Sequence, residues 1–344
     1  MRSIVILLLI FSFSCGQKFV PIKEYELKIE KQNSPTTNSL RGISVVDSNI
    51  VWLSGANGTI LQTKNGGKGW KLISAPDQDS LDFRDVHAFS AEEAIVVSAG
   101  FPSRVYKTKN AGETWILVHE NKDSTAFMNS VHFKNKKQGI IFGDRLGDCH
   151  LILQTLDAGQ SWKRISCDNM PKPLNLENGF AASGSCITTS RKGSYVIGLG
   201  GEKSRVFTSP KGNVWQANNT NFGGGKSSRG IYSIAQGGTS IIAVGGDYAK
   251  VDSSYQVVIS KDQGKSWTKG GEVHGYRSIV TYSSFLKLWL AAGTNGIELS
   301  ADDGLSWSKR SDVNINTAQF SPNSSTLWAA GSKGEIYRIS FIKP

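Results

Sequence analysis

Four arginines form the pattern in this sequence with the most chemistry in it. Arg41, Arg84, Arg229 and Arg277 each stand 14 to 16 residues before a glycine that closes a β-rich run: Gly55, Gly100, Gly245 and Gly293. The same count back from Gly143, Gly200 and Gly331 lands on Asn129, Ser185 and Asn316. Two residues after each position comes an apolar one, from Ile43 and Val86 to Ile279 and Ala318. Seven polar residues at one recurring place, four of them cationic, suit the binding of an anion. A guanidinium is a planar fork that meets a carboxylate with two parallel hydrogen bonds. The competing reading is that each arginine pairs with a nearby acid, such as Asp85, and only tightens the structure.

The elements that must position these residues come from a repeat. The octets "TKNGGKGW" (63–70), "TKNAGETW" (108–115), "TLDAGQSW" (155–162), "SKDQGKSW" (260–267) and "SADDGLSW" (300–307) share one pattern, and "SPKGNVW" (209–215) is a shortened copy. Their tryptophans, Trp70, Trp115, Trp162, Trp215, Trp267 and Trp307, are spaced by 45, 47, 53, 52 and 40 residues. Such a period indicates a solenoid or a propeller. Inside a unit the runs "RGISVV", "IVWLSG", "TILQT" and "WKLI" are short, β-rich and separated by Gly, Asn and Asp turns. Four antiparallel strands per repeat make a propeller blade. A seventh unit ends with only three strands. The alternating stretch "IKEYELKIE" (22–30) can supply its outermost fourth, beside Glu335–Phe341. Closing the ring in this way removes the free sheet edges. The expected fold is therefore all-β, a seven-bladed propeller over residues 36–344 with the N-terminal strand on the last blade.

Strand order then separates two faces. The octets join third strands to fourth strands on the lower face, whereas the arginines begin first strands on the upper face. Long insertions at 168–179, 218–228 and 246–254 share the upper face, so an arginine-lined channel mouth is expected there. The octet resembles the Asp box, or BNR repeat, of sialidases and several other propeller families. In it Asp157, Asp262 and Asp302 accept hydrogen bonds from the turn backbone, and Asn65 and Asn110 can do the same. The glycine serves the tight turn and the tryptophan packs between sheets. One Asp per turn offers too few oxygens for calcium, and no metal or other cofactor is expected.

The ends and the composition bound the setting. "MRSIVILLLIFSFS" (1–14) carries one cation and a short apolar run, an export signal too short to span a bilayer. Cys15 follows at once and resembles the acylated cysteine of bacterial lipoproteins, although Ser12 stands where a leucine is usual. Residues 15–35 then form a lipid-anchor linker plus the ring-closing strand, in the cell envelope (periplasm or outer membrane). An unmodified, secreted chain is the alternative. No later segment is long and apolar enough to cross a membrane, so membrane contact is expected through the anchor only. A net charge of +11 favours acidic protein segments or anionic glycans as partners. No nucleic-acid motif accompanies it. Cys149 and Cys167 flank a hairpin folded at Ala158–Gly159, which favours a bridge between them and leaves Cys186 free; Cys167–Cys186 is the other pairing.

The stretch "LRGISVVDSNIVWLSGANGTILQTKNGGKGW" (40–70) resembles the first blade of the Ycf48-like photosystem II assembly factors and their bacterial relatives. The resemblance covers most of the chain after residue 36. It implies a seven-bladed propeller whose arginine-rich face holds a partner during assembly of a membrane-protein complex. The matching positions are Arg41, Arg84, Arg229 and Arg277; blades three, four and seven lack the arginine. Glycan-active enzymes are the rival reading, since sialidases and xyloglucan hydrolases share the Asp box. Blade one reads Arg41–Gly42–Ile43 rather than the Arg-Ile-Pro of sialidases, and no tyrosine–glutamate pair can be assigned. Asp85 and Asp247 are weak candidates for paired carboxylates. "FGGGKSS" (222–228) lacks the first glycine of a phosphate loop and precedes a strand, so it reads as a flexible loop. His87 and His132 hold matching innermost-strand positions without a third metal ligand. The expectation is a binding protein, not an enzyme.

Overall fold

Short β-rich runs bury little alone and become stable when hairpins form sheets and sheets cover one another. The computed structural model, which describes residues 25–75 and 81–342, shows this outcome. The described strands form seven antiparallel sheets of four strands each, arranged as a β-propeller. Six sheets take their strands in chain order: blade 1 from residues 40–73, blade 2 from 82–121, blade 3 from 128–164, blade 4 from 187–219, blade 5 from 229–274 and blade 6 from 279–311. Blade 7 combines Thr317–Phe320, Thr326–Ala330 and Ile336–Ile342 with the N-terminal strand Glu26–Lys31. That strand pairs from Glu26↔Ile342 to Lys31↔Tyr337, so the two ends of the chain close the ring. Its described part begins at Glu26, and residues 22–24 of the expected stretch 22–30 lie outside the described residues. Leu27 and Ile29 pack on the blade 6–blade 7 core, while Glu26, Lys28 and Lys31 face solvent. The export signal, Cys15 and Ile22 lie outside the described residues.

Second strands are buried along their whole length in every blade but the third, as in Val51–Gly55, Ala94–Ala99 and Leu288–Gly293; in blade 3 Arg145 is exposed. Both faces of each sheet meet a neighbouring blade, so the alternation of a half-exposed strand disappears there. The apolar core is divided accordingly. Trp52, Ile60, Phe83 and Val96 fill the space between blades 1 and 2, and Val196, Val206, Ile231 and Val258 that between blades 4 and 5. Separate small cores let the chain exceed the size that one core supports.

The octet turns share one hydrogen-bonding scheme. In blade 3, Asp157 accepts from the Gln160 and Ser161 amides, both at 3.0 Å, and the Gly159 amide donates to Thr155 Oγ1 at 2.9 Å. Asp262 and Asp302 accept from Ser266 and Ser306 in the same way. Asn65 and Asn110 accept from Gly69 and Thr114 at 3.0 Å. Ala158 and Gly159 are consecutive left-handed residues, with φ of 64° and 78°. Gly159 also presses against Ile95 of blade 2, where a Cβ would collide. In blade 4 the shortened octet keeps a Gly212 amide bond to Ser209 and the Trp215 Nε1 bond to Gly212 O. The tryptophans tie neighbouring blades together: Trp70 meets Trp328 of blade 7 edge to face at 5.7 Å, Trp115 packs on the blade 1–blade 2 core, and Trp307 packs on that of blade 5. Trp162 lies against Phe133, Trp215 against Tyr195, and Trp267 beside Val196.

Candidate functional site

An open central channel would follow from seven inward strands alone. The segment leading into blade 4 prevents it. After the insertion at 168–179, residues 180–185 ("FAASGS") run across the axis of the ring. Ala181 O accepts from Arg84 of blade 2, and Gly184 O accepts from Ser130 of blade 3 at 2.6 Å. Ser183 donates to Ser278 O of blade 6 and accepts, through its carbonyl, from Thr317 of blade 7. Ser185 shares a 2.7 Å hydrogen bond with Ser233 of blade 5. Only small side chains fit where this many strands converge. Gly184 sits against the Asp85 carboxylate, where a Cβ would overlap it.

The plug divides the channel into two cavities. The upper one has a volume of about 680 Å³, within the range of ligand pockets. Arg41, Arg84, Asn129 and Asn316 line it, together with Phe180 and Ala182 of the plug. Phe127, Tyr232, Tyr248 and Tyr276 add an aromatic wall. Phe180 stacks on Tyr232 at 3.8 Å, and Tyr276 meets Tyr232 edge to face at 4.8 Å.

The two arginines of this pocket differ. Arg84 pairs with Asp82 at 2.7 Å and lies 5.6 Å above the Phe127 ring. Burial draws its pKa down; Asp82 opposes that, and the like charge of Arg41 adds to it. Arg41 is half-buried and has no hydrogen bond or ion pair among the described residues. An arriving carboxylate therefore finds one unpaired guanidinium beside a second whose charge repels it. Relief of that repulsion favours the anion. Asp144, also on the wall, accepts from Asn129 at 2.8 Å, and burial raises its pKa.

The remaining members of the recurring position are elsewhere. Arg277 corrects the expectation of an arginine ring. It is fully buried, bonded to Glu298 at 3.0 Å, to Asn295 and His274 O at 2.6 Å, and lines neither cavity of the channel. A Glu298 carboxylate with no solvent access needs a cation; Arg277 supplies a permanent one, and His274 Nδ1 lies 2.8 Å from the same carboxylate. Arg229 stands outside the pocket lining, its guanidinium 5.9 Å from the Tyr255 ring and packed on Gly223 of the loop 222–228. Ser185 belongs to the plug. Asn316 lines the pocket but also fastens blade 7 to blade 1 through Leu40 O at 2.9 Å.

The lower cavity, about 320 Å³, contains Asp85, His87 and His132. Asp85 accepts from the Val86 and Val131 amides at 2.8 Å, and burial raises its pKa well above the carboxylate range. Burial, with the His132 charge, brings His87 down to about 3, and burial brings His132 to about 4, so both rings are neutral at pH 7. Blades 2 and 3 are neighbours, which places the two rings on adjacent strands. Asp247 accepts from the Ala249 amide and lies 3.9 Å from Lys226. Asp85 and Asp247 thus share no cavity. Among the described residues no group of three His, Cys, Asp or Glu side chains is placed to hold a metal.

A family model described as photosynthesis system II assembly factor YCF48 matches residues 23–122. The photosystem II assembly lipoprotein Ycf48 of Trichormus variabilis is 26% identical over 301 residues, covering 85% of this chain and 75% of its own. The chain is Ycf48-like. Two solved structures share the fold. A YCF48 bound to D1 peptide superposes with a TM-score of 0.63 at 17% identity, over 91% of this chain and 96% of that one. YCF48 from Cyanidioschyzon merolae gives 0.63 at 18%, over 91% and 98%.

Two parts of the site in this Ycf48-like propeller escaped sequence reasoning. The aromatic wall gave no periodic signal, because Phe180, Tyr232 and Tyr276 occupy unlike positions in their blades. The plug left a trace in the small-residue run Ala181–Ala182–Ser183–Gly184, which is what a crowded axis selects. Cys149 and Cys167, whose Cα atoms are 5.4 Å apart, are joined by a disulfide at the root of the insertion that leads to the plug, and Cys186 is free and buried.

Proposed function

We propose that this protein is a non-enzymatic binding propeller that holds an acidic protein segment of a membrane-protein complex in its upper pocket during assembly. The observation that carries this reading is Arg41, unpaired among the described residues beside Arg84 over an aromatic wall. Arg41 and Arg84 take the carboxylate, while Phe180, Tyr232 and Tyr276 receive the apolar part of the segment. A relative named as an assembly lipoprotein, and a structural neighbour captured with a D1 peptide, support the same class of partner. Acylation of Cys15 in the cell envelope completes the proposal and fits the relative's description as a lipoprotein.

The test is fluorescence anisotropy with a labelled D1 peptide like that of the related complex, beside a twin with its carboxylates amidated. Hydrogen bonds to charged groups contribute about 1.5–3 kcal/mol each, so Arg41→Ala weakens binding roughly 10- to 100-fold. Amidation produces a loss of similar size. Equal affinity for both peptides, or an Arg41→Ala/Arg84→Ala protein that binds like the parent, refutes the reading.

A further inference from the structure

The lower face carries a second charged surface, which the upper pocket does not explain. The turn between the first two strands of blade 3 exposes Lys136 and Lys137. It is fastened to the octet turns beside it: the Ala158 amide donates to Lys137 O, and Lys134 Nζ to Pro210 O. In blade 4, exposed Arg191 and Lys192 occupy the equivalent turn, and the Lys192 amide donates to Gln263 in the octet of blade 5, which exposes Lys261 and Lys265. One continuous arc over blades 3 to 5 results, and none of these six side chains pairs with an acid among the described residues. The acids within the arc are occupied, since Asp157 and Asp262 accept from their own turns. Elsewhere the lower face is balanced: Lys64 lies 3.8 Å from Glu92, and Lys107 2.7 Å from Glu93.

Two further observations indicate what meets this arc. Leu156 and Val214, 61% and 51% exposed, project from the octet turns among the cations. Apolar side chains set among lysines suit the boundary between lipid headgroups and acyl chains. The ring-closing strand also starts on this side, since Glu26 pairs with Ile342 at the lower end of blade 7. The segment containing Cys15 therefore joins the propeller at the lower face, and the upper pocket points the other way.

We propose that the basic arc of blades 3 to 5 docks the lower face on an anionic lipid surface, whatever the upper pocket binds. The decisive experiment uses the exported full chain with Cys15→Ser, so that no acyl group contributes. Vesicles of phosphatidylcholine with phosphatidylglycerol are compared with vesicles of phosphatidylcholine alone, by co-sedimentation at low and high salt. Each basic residue near such a surface contributes about 1 kcal/mol, or roughly fivefold in partitioning. Lys137→Gln/Lys192→Gln/Lys265→Gln, all exposed and outside any core, thus lowers binding to the anionic vesicles by about a hundredfold. Lys250→Gln on the upper rim leaves it unchanged, and salt weakens it. Equal partitioning of the triple variant and its parent overturns the proposal, as does equal binding to neutral vesicles. Capture of polyglutamate through the arc without vesicle binding also overturns it, and assigns the arc to a protein partner.

Discussion

Replacing Glu177 by Gln tests how the pocket wall is held. Glu177 is 2% exposed and ends the insertion that becomes the plug. Arg205 grips it through Nε and Nη2, both at 2.6 Å, the Leu174 amide donates at 3.1 Å, and His150 Nε2 lies 3.3 Å away. Burial alone would raise its pKa; the bonds to His150 and Arg205 and the Arg205 charge outweigh that and hold it at about 2, against 4.5 for a free glutamate. That depression corresponds to roughly 3 kcal/mol of stability at pH 7, close to the usual cost of breaking a buried pair. Because the folded-state pKa is the lower one, this contribution is complete above pH 4.5 and disappears as the pH falls toward 2. About three-fifths of it is gone by pH 3. Urea unfolding of parent and Glu177→Gln proteins at pH 7 and at pH 3 therefore shows a wide gap that narrows in acid. Since Asn178 and Phe180 follow directly, the variant also binds the labelled peptide more weakly. A gap under about 1 kcal/mol at pH 7, or one as wide at pH 3, would refute the reasoning.

Arg277→Ala leaves Glu298 buried with only the His274 ring beside it and costs about 3–5 kcal/mol by urea unfolding, whereas Arg41→Ala stays within about 0.5 kcal/mol of the parent. A stable Arg277→Ala protein with impaired peptide binding would return Arg277 to the site. Cys149→Ala/Cys167→Ala opens a loop closed over a sequence separation of 18 and costs about 3 kcal/mol, read as a lower urea midpoint under non-reducing conditions. An unchanged midpoint would mean that the bridge constrains nothing.

Much of the architecture was legible because it repeats. Six tryptophans at near-regular intervals reveal a blade count, and the alternation around Leu27 and Ile29 reveals the closing strand. The site was legible only in part, because a repeated position specifies place and not partner. Arg41 and Arg277 occupy equivalent positions, yet a glutamate on the third strand of blade 6 captures one, and among the described residues nothing comparable reaches the other. Whether an arginine is free depends on Glu298 and Asn295, which lie 21 and 18 residues away, on the third strand and in the turn before it. The plug is a singular insertion, so no periodic count could expose it. Its contacts with blades 2, 3, 5, 6 and 7 exist only once the ring has formed.

Ring closure also orders the life of the chain in time. Glu26–Lys31 is made before any other described strand, yet its partner, Ile336–Ile342, is made after all of them. Throughout synthesis Leu27 and Ile29 have no sheet to join, while the blades between them can stack one on another. A chain cut short before Ile336 has no seam to close, and it displays strand edges that proteases and chaperones recognise. The clasp thus makes the finished ring a report on its own manufacture: only a polypeptide carried through to its final strand can hide its beginning.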